Sequence, residues 1–328
     1  MKEIGGYLEL ERFTGGEYHT DMVKLNLGRT ALLYLMKCAE AHTLWVPYFI
    51  CEAVTKTCEM AGYTLKYYHI DRNFLPILEE KAINGEYVYL VNFYGQLSNE
   101  TVLELKRKYK HVILDNTHAF FQKPHEYIPT LYSIRKFFGL SDGAYASLGN
   151  LPERLPLEKL EQDNSCERMG HILGRYERSA SDFYQIMLDN AHALDHELVS
   201  RMSPLTENLL HGIDYEKARR TREANYQKLH ELLGETNPIP IHMPEGPFVY
   251  PLYHPNGMAL RRKMAQYKVF VPTYWNNVLR DMPQDSLEYD YAANILPLPC
   301  DQRYCPVDME SVASVYKQCI KELESDYA

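Results

Sequence analysis

The first half of the 328-residue chain alternates between short apolar runs and amphipathic stretches, and this alternation constrains the fold more than any other feature. Strand-like runs occupy residues 44–50, 65–70, 87–93 and 112–115. Helical patterns lie around them at 30–41, 51–61 and 98–109, the last with Ser98 as a predicted N-cap. The strand-like runs begin roughly every 20–25 residues, the spacing of βα units. We therefore predict an α/β fold with a mostly parallel sheet flanked by helices.

The second half of the chain has a different pattern. Residues 165–233 are largely helical in pattern, with an interruption near 202–204. Proline-rich extended pieces follow, and a last helix is predicted at 308–324. This change indicates a smaller α+β unit. We predict a large α/β domain over residues 1–205 and a small C-terminal α+β domain over residues 206–328.

Composition and charge exclude several classes of protein. A net charge of −9 argues against nucleic-acid binding, which needs a basic surface. The seven cysteines are odd in number and include no C-x-x-C pair, so we expect neither disulfides nor a metal site. No apolar run approaches the ~20 residues of a membrane helix, and the N-terminus has no hydrophobic signal core. We expect a cytoplasmic protein without membrane contact.

The stretch HVILDNTHAFF ends a predicted strand on Asp115, and His118 follows three residues later. Ligands of open α/β sheets bind beyond the carboxyl ends of the strands. A carboxylate at that place suits a cationic heterocycle such as the protonated ring of pyridoxal phosphate (PLP), and His118 could hydrogen-bond the phenolic oxygen of that ring. The common alternative is an aspartate that only caps the next turn.

PLP chemistry also needs an amine and a phosphate site. The stretch YSIRKFFGLSDGAY supplies the Ser133 hydroxyl and the Lys136 amine, with Lys123 as a competing lysine. The stretch LNLGRTALLYL opens a helix at Gly28, and its first-turn N–H groups with the Thr30 hydroxyl could hold a phosphate. No G-x-G-x-x-G follows a strand, which argues against dinucleotide binding.

In this order, the segments resemble the DegT/DnrJ/EryC1/StrS aminotransferases, which are PLP enzymes that act largely on nucleotide-linked keto sugars. GRTAL is similar to the G-T-x-A-L of that family, ILDNTHAFF to its E-D-A-A-[QH]-A, and SIRKFFGLSDGAY to the segment with the cofactor-binding lysine. The chain departs from the family at Asn116 and Thr117, at Arg29, and in the short gap from Ser133 to Lys136.

The resemblance implies a fold type I PLP-dependent transferase and a role for each matched residue. Lys136 would hold PLP covalently and carry the proton, Asp115 would pair with the ring nitrogen, and His118 would bind the ring oxygen. The residues expected at the phosphate are Gly28, Arg29, Thr30 and Ser133. Either Tyr48 or Phe49 would pack near the ring. The family forms homodimers with shared active sites, so Arg175 or Tyr176 of the segment 174–179 would reach the neighbouring site.

The activity implied by the resemblance is transfer of an amino group from an amino acid, with glutamate expected, to a keto sugar nucleotide in surface polysaccharide biosynthesis. One alternative is a PLP-dependent sugar dehydratase, although such relatives replace the lysine with histidine. Another is a degenerate fold type I protein with a binding or regulatory role, which the altered residues after Asp115 keep open.

Overall fold

The structure is a computed structural model that describes residues 4–326. Within these residues, eight strands form one sheet in the order β1-β8-β7-β6-β5-β2-β3-β4, and two more form a separate ribbon. The strands are β1 Val23–Leu25, β2 Thr43–Pro47, β3 Thr64–Ile70, β4 Pro76–Ile77, β5 Tyr87–Val91, β6 Val112–Asp115, β7 Thr130–Ser133, β8 Ala144–Ser147, β9 Val249–Tyr253 and β10 Ile295–Pro299.

Helices cover the sheet and make up most of the second half of the chain. They are α1 Gly28–Cys38, α2 Glu52–Met60, α3 Glu80–Ile83, α4 Asn99–Tyr109, α5 Gly170–Glu177, α6 Tyr184–Ala193, α7 Pro204–Leu210, α8 Tyr215–Leu233, α9 Gly257–Gln266, α10 Asn276–Asp281, α11 Leu287–Asn294 and α12 Pro306–Asp326. The predicted N-cap of α4 is confirmed, because the Ser98 hydroxyl accepts a hydrogen bond from Thr101 N at 3.2 Å.

The centre of the large sheet is parallel, as predicted. Strands β3, β2, β5, β6 and β7 run parallel to one another, so their carboxyl ends meet at one edge. Strands β1, β8 and β4 are antiparallel additions at the two sides. In the β5–β6 register Val91 pairs with Asp115, and in the β6–β7 register Asp115 pairs with Leu131. Asp115 therefore lies at the middle of the carboxyl edge.

Both faces of the sheet are buried, which explains the continuous apolar runs of its central strands. Along β6, Val112 and Leu114 face one hydrophobic core, while Ile113 faces the other. Helix α1 buries Leu32 and Leu35 in the same core as Ile113. This packing fixes the start of α1 next to the carboxyl ends of the strands.

The ribbon of β9 and β10 forms the centre of the C-terminal part. Its antiparallel register places Pro251 opposite Pro297, and helices α8, α9 and α12 enclose it in a third hydrophobic core. This arrangement begins after α7. The predicted domain boundary between residues 205 and 206 falls within α7 and stays a prediction. No helix among residues 4–326 combines the length and the apolar character needed to cross a bilayer.

Candidate active site

A cavity of about 230 Å³ opens at the carboxyl edge of the large sheet. It brings together six of the residues singled out in the sequence, namely Gly28, Arg29, Asp115, His118, Ser133 and Lys136. The remaining lining residues come from the same edge and from one distant loop; they are Leu27, Ile50, Cys51, Ala53, Val54, Tyr89, Val91, Thr117, Leu131, Arg135 and Trp275.

Asp115 forms the floor of this cavity and is almost fully buried. Its Oδ2 accepts a hydrogen bond from the Tyr89 hydroxyl at 2.7 Å, and its Oδ1 accepts one from Thr117 N at 2.7 Å. Burial raises the pKa of Asp115, and these two hydrogen bonds oppose the rise. The site therefore has a carboxylate that would gain from a nearby cation.

His118 lies beside Asp115 and is packed among aromatic rings. Its imidazole stacks on Phe248 with 4.4 Å between ring centroids, and Trp275 lies 5.7 Å away. Its Nδ1 faces Tyr94 N at 3.4 Å. Burial, together with the charge of Lys136, lowers the pKa of His118 well below its usual value. His118 is therefore a neutral hydrogen-bonding group at neutral pH.

Lys136 is the lysine of the cavity. Its side chain is accessible because it faces the cavity, while protein atoms surround the amine on its other sides and lower its pKa by desolvation. Cys51 and Asp115 oppose this effect electrostatically, and Arg135 adds to it. In the described part of the chain, the Lys136 amine makes no hydrogen bond and lies 5.9 Å from the Tyr274 ring centre.

The competing lysine has its amine directed elsewhere. Lys123 Nζ donates to Tyr18 O at 2.6 Å and lies 3.6 Å from the centre of the Tyr18 ring. Lys123 does not line the cavity at the strand ends. The structure therefore leaves Lys136 as the amine that faces Asp115 and His118.

The start of helix α1 forms one end of the cavity. A Cβ on Gly28 would lie 3.2 Å from Ser133 Cβ and 3.8 Å from Thr117 Oγ1, so the absence of a side chain at Gly28 lets α1 approach two hydroxyl groups. Helix N-termini with adjacent hydroxyls are suited to phosphate. Thr117, which the sequence marked only as a departure, belongs to this group.

Thr30 is placed differently from the other residues expected at the phosphate. Its side chain is fully buried, and its hydroxyl donates to Asn26 Oδ1 at 2.6 Å while accepting from Leu27 N at 3.2 Å. Thr30 does not line the cavity. Its hydroxyl stabilises the start of α1, and the hydroxyls of Ser133 and Thr117 face the cavity instead.

Two arginines add positive charge at the same end. Among buried side-chain atoms of the described residues, Arg29 Nε and Arg135 Nε have no hydrogen-bond partner. Arg29 still contacts the helical segment that follows α6, through the carbonyl of Leu194 and through Asp195 at 3.7 Å. Burial lowers the pKa of Arg135 to about 10, and the charge of Arg29 contributes. A buried anion beside these guanidinium groups would relieve an unfavourable environment.

Neither aromatic residue expected near the ring lines the cavity. Phe49 is fully buried and packs on Trp275 at 4.3 Å, whereas Tyr48 stacks on Tyr67 at the surface. The aromatic lining is supplied instead by Tyr89 and Trp275, and the backbone of Trp275 has a positive φ of 55°. Such a conformation is uncommon outside glycine and concentrates at functional sites.

A larger cleft of about 720 Å³ meets the cavity at Arg135 and Lys136. It lies between the large sheet and the C-terminal part, and its lining is rich in cations. The basic residues are Arg135, Lys136, Arg175, Arg222, Lys268 and Arg303, against the acidic Asp301 and Asp308. Among residues 4–326, no group of three or more His, Cys, Asp or Glu side chains is placed to hold a metal ion.

The fold is shared with solved aminotransferase structures. A DegT DnrJ EryC1 StrS aminotransferase from Brucella abortus superposes with a TM-score of 0.60 at 13% identity, covering 90% of this chain and 85% of that one. DesI, solved with its TDP-sugar product, gives 0.64 at 11%, with 93% and 83% covered. Spr1654 of Streptococcus pneumoniae in its PMP form gives 0.68 at 12%, with 95% and 94% covered.

These likenesses confirm the predicted fold class, which is the α/β fold of the fold type I aminotransferases. They confirm the resemblance to the DegT/DnrJ/EryC1/StrS enzymes at the level of the fold. No family model matches the sequence. No curated protein matches it either.

Proposed function

We propose that this chain is a PLP-dependent aminotransferase that transfers an amino group from an amino acid to a keto sugar nucleotide. The observation that carries the proposal is the cavity at the strand ends, where Lys136, Asp115 and His118 meet the start of α1. The shared fold of solved sugar aminotransferases supports it. Glutamate as donor, surface polysaccharide biosynthesis as pathway and a cytoplasmic location belong to the same proposal.

The residues of the cavity fit PLP at both of its ends. Gly28, Ser133 and Thr117 would hold the phosphate, and the buried guanidinium groups of Arg29 and Arg135 would balance its charge. Asp115 would face the ring nitrogen, where its carboxylate keeps a pyridinium protonated. The neutral imidazole of His118 would be a hydrogen-bonding partner for the ring oxygen.

When bound, PLP supplies an electron sink for the carbon that gains or loses the amino group. Lys136 has the properties of the proton carrier at that carbon. Its lowered pKa increases the neutral fraction of the amine near neutral pH, and a neutral amine can accept a proton. Because Lys136 borders both cavities, it can reach a substrate that enters from the larger cleft.

The charge of the larger cleft supports a phosphate-bearing acceptor. Within the described residues, Arg175 and Lys268 make neither a hydrogen bond nor an ion pair, so both are available to a ligand in the cleft. Arg303 is held differently, by two hydrogen bonds to Asp301 at 2.7 and 2.8 Å. A nucleotide diphosphate would neutralise the unpaired cations.

A homodimer with shared active sites is also part of the proposal. The segment 174–179 was predicted to reach the neighbouring site, and in the structure Arg175 lines the cleft of its own chain. Tyr176 is 95% exposed, so the rest of the described chain covers almost none of it. We propose Tyr176 as the contact of this segment with a second subunit.

The decisive experiment is the visible absorption spectrum of the purified protein with PLP, recorded before and after borohydride reduction, with the labelled peptide mapped. We expect visible absorption from the bound cofactor, a label on Lys136, and bleaching when glutamate is added. A protein that binds no PLP, or that carries the label on another lysine, would contradict the assignment and favour the binding or regulatory alternative.

A further inference from the structure

The buried guanidinium of Arg222 connects the two sides of the candidate active site. Arg222 lies on helix α8 of the C-terminal part and is 2% exposed. Its Nη2 donates to Phe137 O at 3.0 Å, and Phe137 directly follows Lys136 in the chain. Its Nη1 donates to Pro247 O at 2.9 Å and to Phe248 O at 3.3 Å. Phe248 is the residue whose ring stacks on His118.

Gln302 closes a triangle of hydrogen bonds with Arg222 and Phe137. Gln302 Nε2 donates to Phe137 O at 2.8 Å, while Gln302 Oε1 accepts from Arg222 Nε at 2.6 Å. The Phe137 carbonyl therefore receives two donors from the C-terminal part. In addition, the Arg222 guanidinium lies 4.5 Å from the centre of the Phe137 ring.

We propose that Arg222 is a positioning residue that sets the place of the Lys136 amine relative to His118, with Gln302 as its partner. This inference rests on the proposed function of Lys136. The backbone beside Lys136 and the backbone beneath Phe248 bind one rigid, planar group, so they cannot shift independently. A flexible ammonium in the place of the guanidinium could not make all four of these contacts in one geometry.

The triangle also couples the substrate cleft to the lysine. Gln302 belongs to the loop 300–304, which lines the larger cleft. The same face of α8 holds this loop through Asn225, whose Nδ2 donates to Cys300 O, Asp301 O and Tyr304 O at 3.0 to 3.3 Å. A ligand that moves Gln302 would consequently act on the peptide that follows Lys136.

The test uses the full chain with three substitutions. Arg222→Lys keeps the charge and loses the fork of donors, and Gln302→Leu removes both side-chain hydrogen bonds of Gln302 with little change in shape. Arg220→Gln is the matched control on the same helix, because Arg220 is exposed and, among residues 4–326, pairs only with Glu216 at 2.6 Å. Thermal unfolding shows that each variant is folded.

The first readout is the rate of Lys136 labelling by trinitrobenzenesulfonate across a pH series, with peptide mapping and no added PLP. If the substitutions loosen the turn that follows Lys136, more water reaches the Lys136 amine and stabilises its charged form. The pH midpoint of the labelling profile should therefore rise. We expect labelling below the midpoint to slow about tenfold in Arg222→Lys, which corresponds to about one pH unit, and about threefold in Gln302→Leu. The Arg220→Gln control should follow the wild type.

The second readout is the pH titration of the visible spectrum with PLP bound. We expect the midpoint of this titration to rise in both variants, as the labelling midpoint does. Unchanged labelling midpoints in folded Arg222→Lys and Gln302→Leu would overturn the positioning role. If Arg222→Lys does not fold, Gln302→Leu decides alone. Shifted midpoints without any PLP absorption would support the positioning role and contradict the proposed function, so the two failures are distinguishable.

Discussion

Two regions that both contact the loop 116–121 contain the same kinds of side chain, and we call them the front region and the back region. The front region faces the cavity and contains Lys136, His118 and Asp115. The back region contacts the same loop through Phe120 O and contains Lys123, His19 and Glu17. Two of these three residues belong to the segment 17–19. Both have a buried histidine among aromatic rings and a carboxylate that accepts from a tyrosine hydroxyl, Tyr89 in front and Tyr145 behind.

The regions differ in how many of their charged groups are already paired within the protein. Glu17 binds Lys24 at 2.6 Å and Tyr145 at 2.5 Å, and His19 binds Phe120 O at 2.6 Å. In the front region, and within the described part of the chain, the Lys136 amine makes no hydrogen bond, and Asp115 accepts hydrogen bonds from uncharged groups only. Burial of polar groups is thus common to a structural cluster and a candidate site, and the back region even leaves one buried nitrogen, His19 Nδ1, without a partner. The regions differ instead in their charged groups, because Glu17 is paired with Lys24 and the Lys136 amine has no ion pair among the described residues.

Replacement of each of the two lysines by alanine gives the largest expected difference between the front and back regions. Lys136→Ala should abolish covalent attachment of PLP and lower turnover by roughly 10³-fold or more, because it removes both the attachment point and the proton carrier. Lys123→Ala should leave both intact, since the Lys123 amine is held by the carbonyl and the ring of Tyr18 and does not line the cavity. Borohydride labelling and steady-state assays measure the two effects. Retained labelling in Lys136→Ala would show that another lysine holds the cofactor.

Substitutions of the two carboxylates should have different effects: the one at Asp115 should weaken cofactor binding, and the one at Glu17 should lower stability. Asp115→Asn removes the charge opposite the ring nitrogen and should weaken PLP binding by about a hundredfold, since a charged partner contributes several kcal/mol in a buried site. The same variant without PLP should unfold no more easily at neutral pH, because burial raises the pKa of Asp115 and the Tyr89 hydroxyl can reverse its hydrogen bond.

Glu17→Gln is expected to do the opposite. It leaves PLP affinity unchanged and lowers the free energy of unfolding by about 2 kcal/mol, because Lys24 loses its buried partner. Titration with PLP and chemical denaturation measure the two quantities. A loss of PLP affinity in Glu17→Gln would break the distinction between the regions.

The lowered pKa of His19 predicts that the free energy of unfolding depends on pH. Burial lowers its pKa from 6.5 to about 4, so the unfolded chain binds the proton more tightly than the folded protein. The stability that comes from neutral His19 is present above pH 6.5 and is lost as the pH falls to about 4. The loss amounts to about 3 kcal/mol for this residue.

Denaturation of wild type and His19→Gln at a series of pH values tests this dependence. Glutamine keeps a donor for Phe120 O and does not titrate, so the slope between pH 6.5 and 4 should flatten in the variant. Part of the slope should remain, because His118 also has a lowered pKa. Identical slopes would show that His19 is not the titrating group.

The smallest expected effect belongs to the tyrosine of the front region. Tyr89→Phe removes the hydrogen bond to Asp115 Oδ2 without a change in shape. Loss of one such bond should raise the pKa of Asp115 further and weaken PLP binding about fivefold, in line with the ~1 kcal/mol of a typical hydrogen bond. Tyr145→Phe is the matched variant in the back region, and it should leave PLP affinity unchanged.

Local sequence patterns were sufficient for the centre of the sheet and for most of the candidate site. Strand β6 was predicted with its correct bounds, because its four residues are apolar up to the aspartate. The end of the predicted run 44–50 was wrong, since the strand stops at Pro47 and Phe49 turns into the core. Strands β1, β4 and β8 were missed because they have only two to four residues, and none of them contains the three consecutive branched apolar residues that mark β6.

The residues missed at the site depend on contacts that are distant in sequence. Trp275 reaches the cavity from a loop more than a hundred residues after Lys136, and no local pattern marks that approach. Arg135 was not predicted as a site residue although it adjoins Lys136. The observation that places it in the site is its buried Nε without a hydrogen-bond partner, which only the structure reveals. Thr30 matched a phosphate-binding pattern, but its hydroxyl is bonded to Asn26 inside the helix start.

The proline pair of the β9–β10 ribbon has a consequence for solubility. Pro251 and Pro297 face each other in the register, and neither has an N–H to donate, so both nitrogens lie on the outer sides of the ribbon. Pro299 adds a second position of the same kind on β10. A third strand that approached either side would lack a backbone donor there, which protects the ribbon from edge-to-edge aggregation between copies of the chain.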